Sequence, residues 1–203
     1  MAAQKKAPLA ASERDEEERA RWRGLVGRFD ARRLLFVDEC GAHTSMTRTR
    51  ARAPKGKRAH GRVPRNRGKN TTLIASLSLS GIGQAMTFQG STDKMVFEAY
   101  VERFLAPALH PGQVVVLDNL GAHKGQRVRD LVETQGASLL FLPTYSPDFS
   151  PIEEAFSKIK AILKKEAART HEALVEAIGK ALDAVTAKDA KGWFVHCGYE
   201  AEA

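Results

Sequence analysis

The chain has 203 residues, 43% of them hydrophobic, and 32 basic side chains against 24 acidic ones give it a formal net charge of +8. That length can bury a real core within one domain, and the only two cysteines, Cys40 and Cys197, exclude a disulfide framework or a cysteine-rich zinc site. No apolar stretch reaches the length of a membrane span, and the charged segment Met1–Arg23 excludes a signal peptide, so a soluble, cytoplasmic protein with no membrane partner is expected.

Along the chain, residues 1–11 read as disordered. Residues 12–28, with Leu25 and Val26 as the main apolar side chains, read as a solvated helix. Residues 1–30 are thus expected to be a polar tail or linker helix. A first strand covers 33–38, and Gly41 to Asn70, rich in Arg, Lys and Gly, reads as an extended hairpin or mobile loop. Thr71 to Ser80 alternates at strand period, Gly81-Ile82-Gly83 supplies a turn, and Gln84 to Phe88 returns as a strand. The spacing of Met95, Phe97, Tyr100, Val101, Phe104, Leu105 and Leu109 predicts a helix over 92–109, with its aromatic stripe in the core. Val114 to Leu117 is a strand covered on both faces. It is followed by a helix over 123–135, a buried strand over 138–142, a proline-punctuated loop to Pro151 and helices over 151–168 and 171–187. Trp193 is expected to anchor the C-terminal end by packing. An antiparallel start followed by βαβ units implies an α/β fold, a mixed sheet with helices on both faces.

Three carboxylates stand where this pattern can bring them together. Asp38 closes the apolar run Leu34-Leu35-Phe36-Val37, Asp118 closes Val114-Val115-Val116-Leu117, and Glu153 opens the amphipathic segment Pro151-Ile152-Glu153. Hard divalent cations take oxygen ligands from a few carboxylates plus water and substrate phosphate, so the set points to metal-assisted phosphodiester chemistry. Each acid also has a purely structural reading. Asp118 can form an Asx turn or cap the next helix, and Ser150-Pro151-Ile152-Glu153 fits a capping box. Glu39 points to the face opposite Asp38, because side chains alternate along a strand. On its helix, Glu153 shares a flank with Ser157, Lys160 and Lys164, whereas Glu154 falls opposite the buried stripe and reads as solvated.

Phe36-Val37-Asp38-Glu39, Val116-Leu117-Asp118-Asn119 with His123-Lys124, and Leu142 through Glu153 (Leu-Pro-Thr-Tyr-Ser-Pro-Asp-Phe-Ser-Pro-Ile-Glu) resemble the catalytic motifs of DDE transposases. The branch is the mariner-type superfamily with its bacterial insertion-sequence members. In that pattern 34 residues separate the second Asp from the final acid, and residues 119–152 supply 34, which selects Glu153 over Glu154. Phe149-Ser150 stands where the family often has Leu-Asn. The resemblance covers about residues 31–190 and implies a ribonuclease H-like catalytic domain with a five-stranded mixed sheet, leaving 191–203 as a C-terminal tail.

It also implies two Mg²⁺ or Mn²⁺ ions about 3.5–4 Å apart, with Asp38 bridging them and Asp118 and Glu153 each supporting one. Water attack would free a transposon 3′-hydroxyl, which then joins target DNA at a TA dinucleotide. Asn119 and His123 would be supporting residues. His123 either orients a phosphate or metal-bound water, or simply starts a helix.

The expected partner is double-stranded DNA, both transposon ends and target, in the nucleoid. Ten basic side chains and no acid lie between Arg48 and Lys69 (Arg48, Arg50, Arg52, Lys55, Lys57, Arg58, Arg62, Arg65, Arg67 and Lys69). Outside them, 22 basic residues face 24 acidic ones, so the excess charge belongs to one segment. Lys160, about 10 Å along the helix from Glu153, is a further phosphate contact or a solvated lysine. Residues 1–30 are too short and polar to supply the helix-turn-helix domains usual in the family. Hence a second copy of the chain, or a helix-turn-helix partner chain, is expected. Competing readings are a ribonuclease H-like nuclease without strand transfer and an inactive or domesticated DNA-binding remnant.

Overall fold

The computed structural model describes residues 12–200 apart from Thr49; the disorder expected over residues 1–11 lies outside them. Five strands, β1 (Leu34–Ala42), β2 (Thr71–Ser78), β3 (Gly81–Gln89), β4 (Val114–Leu117) and β5 (Ser138–Phe141), form one sheet in the order β3-β2-β1-β4-β5. The β1–β2 and β2–β3 pairs are antiparallel, and β1–β4 and β4–β5 are parallel. The mixed five-stranded sheet is thus the one expected.

Strand alternation divides the core in two. Leu34, Phe36, Val114 and Val116 pack on one face and Leu35, Val37, Val115 and Leu117 on the other. The second face is covered by α2 (Lys94–Tyr100) and α3 (Gln126–Thr134), through Phe97, Tyr100, Val128 and Val132. The first is covered by α4 (Pro151–Glu166), α5 (His171–Asp183) and α6 (Ala187–His196). Ile152, Phe156, Ile159 and Leu163 form the buried stripe of α4 at helical spacing.

Several local expectations are corrected. The β2–β3 hairpin turns at Leu79-Ser80, with Ser78 opposite Gly81, so Gly81-Ile82-Gly83 already belongs to β3. β3 bulges at Gly83-Gln84, two residues opposite the single Ser76 of β2, and the position suits glycine: a Cβ on Gly83 would lie 2.7 Å from the Ser76 hydroxyl. The helix expected over 92–109 is regular only to Tyr100, passes through a π-type turn at Val101–Leu105, and ends in a 3₁₀ turn containing Pro107. The helix expected from His123 starts at Gln126, after a separate 3₁₀ turn at Gly121–His123.

Both chain ends pack more closely than their sequences promise. Helix α1 (Glu16–Val26), expected to be solvated, is instead buried along Arg19, Trp22 and Val26. At the other end α6 continues the core: Trp193 packs against it half-buried, as expected, and Phe194 and Tyr199 are the fully buried anchors beside it. Phe36, Phe194 and Tyr199 pack ring against ring, and Trp22 Nε1 donates to Tyr199 Oη at 3.2 Å. The first and last described helices therefore join the same hydrophobic cluster as the sheet. No helix among the described residues is long and apolar enough to cross a membrane.

Candidate active site

Parallel pairing sets Phe36 level with Val116, and two further residues along each strand bring Asp38 level with Asp118. Both acids thus stand side by side just past the end of β4. There β1, expected to close at Asp38, loses its parallel neighbour but continues paired with β2 to Ala42. Open α/β sheets bind ligands beyond such strand ends. Alternation puts Asp38 on the α4 face. There Glu153, exposed in the first turn of α4, completes the lining of a cavity of about 440 Å³. Asp38, Glu39, Asp118, Asn119, Glu153 and the loop 142–147 surround this space.

The capping box that rivals a site role for Glu153 does not form. Ser150 is buried, and its side chain makes no cap hydrogen bond; only its carbonyl accepts from the Glu153 amide, at 3.1 Å. Helix α4 starts on Pro151 instead, so the Glu153 carboxylate is not tied to the helix end. Glu154, expected to be solvated, is half-buried and sits 3.8 Å from His196 Nε2, outside the cavity that Glu153 lines.

The carboxyl group of Asp38 is pushed up to about 7, first by burial and then by the nearby charges of Glu153, Asp118 and Glu39, against the lowering effect of the Glu39 amide. That amide donates to Asp38 Oδ1 at 2.7 Å. A carboxylate made costly to ionise by its burial and by the acids around it belongs to a donor set that a hard cation would relieve. Among the described residues no three His, Cys, Asp or Glu side chains close into a cage by themselves. Such a cage is not the usual way to hold Mg²⁺, which keeps several waters and shares substrate phosphate oxygens. The donor chemistry therefore fits Mg²⁺ or Mn²⁺.

Asp118 shows its structural reading as well: its Oδ1 accepts from the Leu120 amide at 3.1 Å, an Asx turn. The same oxygen lies 2.5 Å from His123 Nδ1. Nδ1 has no aligned hydrogen bond among the described residues, so this approach is a contact of opposite charges. On its other side, His123 Nε2 lies 3.1 Å from Glu39 Oε1, and the ring packs on Phe97 with centroids 4.1 Å apart. Burial opposes the imidazolium, but the two carboxylates outweigh it and raise His123 to about 9. The ring is fully buried, so it cannot reach a phosphate. It locks Asp118 from behind, where a supporting role toward substrate was one expectation. Glu39 is the partner that sequence reasoning left without a role. The available signal was a second acid next to Asp38 on the other face of a buried strand, where a cation can pair with it.

Asn119 Nδ2 donates to Thr144 Oγ1 at 2.8 Å, joining the loop after β4 to the loop after β5. That second loop is braced from α1. The Arg19 guanidinium, 1% exposed, pairs with both oxygens of Asp148 at 3.0 and 2.6 Å and stacks over Phe149 at 4.0 Å. Tyr199 Oη donates to the Phe149 carbonyl at 2.5 Å. Residues at both chain ends thus fix the turn leading into Glu153.

The basic segment is irregular, with no helix or strand among its described residues, so the hairpin alternative is not realised. Arg169 holds its root by donating to the carbonyls of Thr44 and Met46 at 2.8 and 3.0 Å. Arg52, Lys55, Lys57, Arg58, Arg62 and Lys69 are exposed. Arg48, Arg50, Arg65 and Arg67 line a groove with Lys164 of α4 that contains no acid. Lys160 is half-buried on α4, near enough to Cys40 for its charge to oppose the burial that raises that thiol to about 12.

The family described as DDE superfamily endonuclease matches residues 33–175, a span that contains all three acids. The chain belongs to the DDE superfamily endonucleases. Its fold is shared with solved transposase structures at low sequence identity. A pre-cleavage Mos1 transpososome superposes with a TM-score of 0.75 at 18% identity, over 100% of this chain and 68% of that one. The Mos1 strand transfer complex gives 0.70 at 20%, over 97% and 62%. The Mos1 transposase catalytic domain with Raltegravir and Mn gives 0.66 at 17%, over 97% and 99%. The DDE endonuclease chain therefore has the ribonuclease H-like fold of that catalytic domain and spans roughly two thirds of the longer transposase chains. No curated protein sequence matches it.

Proposed function

We propose that this chain is the catalytic part of a DNA transposase that cuts phosphodiester bonds at transposon ends and joins the freed 3′-hydroxyl to target DNA, at TA as the resemblance implies. The reading is carried by Asp38, Asp118 and Glu153 lining one cavity in which the Asp38 carboxylate is costly to ionise without a cation. Bound there, two divalent ions would activate the attacking oxygen and stabilise the leaving one. The three acids would hold them, with His123 and Glu39 keeping Asp118 aligned and Asn119 fixing the rim through Thr144. Similarity in fold to a strand transfer complex and to a catalytic domain bound with Mn supports this chemistry. The proposed partners are double-stranded DNA and, to recognise the ends, a second copy of the chain or a helix-turn-helix chain.

The direct test is cleavage of DNA carrying the element's own ends, in Mn²⁺. Glu153→Gln is expected to abolish end cleavage and Glu154→Gln to leave it within about threefold, on the order of a peripheral contact. Equal losses would overturn the assignment of Glu153. Cleavage without joined product would select a nuclease that lacks strand transfer.

The DNA path is proposed to run from the cavity past Lys160 to the basic segment. Replacing Arg48, Arg50, Arg65 and Arg67 by Gln should weaken binding to unrelated sequences alike and reduce the slope of log K against log salt by about 3 to 4, roughly 0.9 per phosphate contact. An unchanged slope removes the segment from the interface.

A further inference from the structure

We infer that Tyr145 is a stacking platform for a DNA base beside the phosphate that is cut. The inference rests on the DNA-cutting reading above and adds a binding residue to it. Tyr145 has φ +52, left-handed backbone that a non-glycine residue rarely adopts. Such strain persists only where the surroundings over-determine it, and it gathers at functional sites. The surroundings here do so. Pro143 and Ser146 are buried on either side. Thr144 is held by Asn119, Ser146 Oγ donates to the Thr144 carbonyl at 3.2 Å, and Asp148 is clamped by Arg19.

The product of this bracing is an aromatic ring left 55% exposed. Most aromatic rings of the chain are spent in the core; this one lines the cavity of the three acids instead. Across that cavity, on the loop after β4, Leu120 is 57% exposed and lines the same space. A flat aromatic and an aliphatic side chain, both open to solvent at a phosphate-cutting centre, suit the faces of a base rather than its charged backbone. Stacking on an aromatic side chain needs no particular base, because every base has a π-face. The ring, not the hydroxyl, would carry the interaction.

The experiment uses a nicked duplex with 2-aminopurine as the 3′-terminal base at the nick, with the full chain in Ca²⁺ for binding and in Mn²⁺ for cleavage. Wild type should quench the 2-aminopurine on binding, Tyr145→Phe should quench equally, and Tyr145→Gly, which relieves the strained backbone, should not quench while melting no lower than wild type. In cleavage, Tyr145→Gly should lose about tenfold or more, and an abasic site at that position should slow wild type to the same level without slowing the variant further. Quenching by Tyr145→Gly equal to wild type, or equal abasic penalties in both proteins, would overturn the inference. Absence of cleavage by wild type alongside Tyr145-dependent quenching would sink the cutting reading and leave the stacking one standing.

Discussion

Asp38→Asn is expected to abolish DNA cleavage while making the metal-free protein more stable. In the fold the Asp38 carboxyl ionises at about 7, against 3.8 ordinarily. Between those pH values the folded protein keeps a proton that the unfolded chain has released, so metal-free stability falls as pH rises from about 4 to about 7. Above that range the full penalty of a buried, crowded anion remains. Asparagine keeps the oxygen that accepts the Glu39 amide and carries no charge, so the variant should gain about 2 kcal/mol at pH 8, or roughly 5 °C in melting temperature for a chain of this size. Cleavage should fall on the order of 10³-fold, the scale of removing a group that acts in the transition state. Melting in EDTA and again in Mn²⁺ separates the two effects. Mn²⁺ should raise wild type more than the variant, because a cation relieves in wild type the repulsion that the variant never had. A variant that melts below wild type in EDTA at pH 8 would refute the proposal that the acids are held in tension for a metal.

The Arg19–Asp148 pair should respond asymmetrically to its two truncations. Asp148→Ala leaves a guanidinium that is 1% exposed without its bidentate partner, its remaining acidic neighbour being Glu16 at 3.5 Å from Nε. Stranding such a charge is expected to cost about 3 kcal/mol. Arg19→Met instead leaves Asp148, 51% exposed, to be solvated by water, and keeps an apolar stem over Phe149. It should cost less, about 1 kcal/mol. The guanidinium hydrogen-bonded to Asp148 holds that carboxyl below the ordinary range. The pair's contribution is therefore present above about pH 4 and lost as pH falls, and Arg19→Met should flatten that acid limb. Chemical unfolding of both variants from pH 3 to 8 measures this, and an Arg19→Met variant less stable than Asp148→Ala would contradict it. Both should also slow cleavage, since each loosens the turn leading into Glu153.

How much of this could be read from the sequence follows from which interactions are local. Asp38 and Asp118 stood out because each ends an apolar run, and strand pairing alone then places them level. Glu153 was harder, because Ser150-Pro151-Ile152-Glu153 satisfies a capping rule in sequence. Only the burial of the Ser150 side chain, a tertiary fact, breaks that rule. Helix α1 was hidden for another reason. Its buried stripe is Arg19, Trp22 and Val26, correctly spaced for a helix, but its first member is an arginine whose partner lies 129 residues away. A hydrophobic pattern does not register a charge buried against a distant carboxylate. His123 and Glu39 are invisible separately for the same reason, since 84 residues separate two groups that neutralise each other. The basic segment was legible as charge, whereas its path is set by Arg169 beyond α4.

The Phe149 carbonyl, to which Tyr199 donates, stands four residues before Glu153, and Trp22 of α1 donates to the same tyrosine. The amino-terminal and carboxy-terminal helices are thereby yoked to a single peptide unit at the threshold of the cavity. A change that loosens either helix therefore reaches that one unit, and with it the turn that presents Glu153.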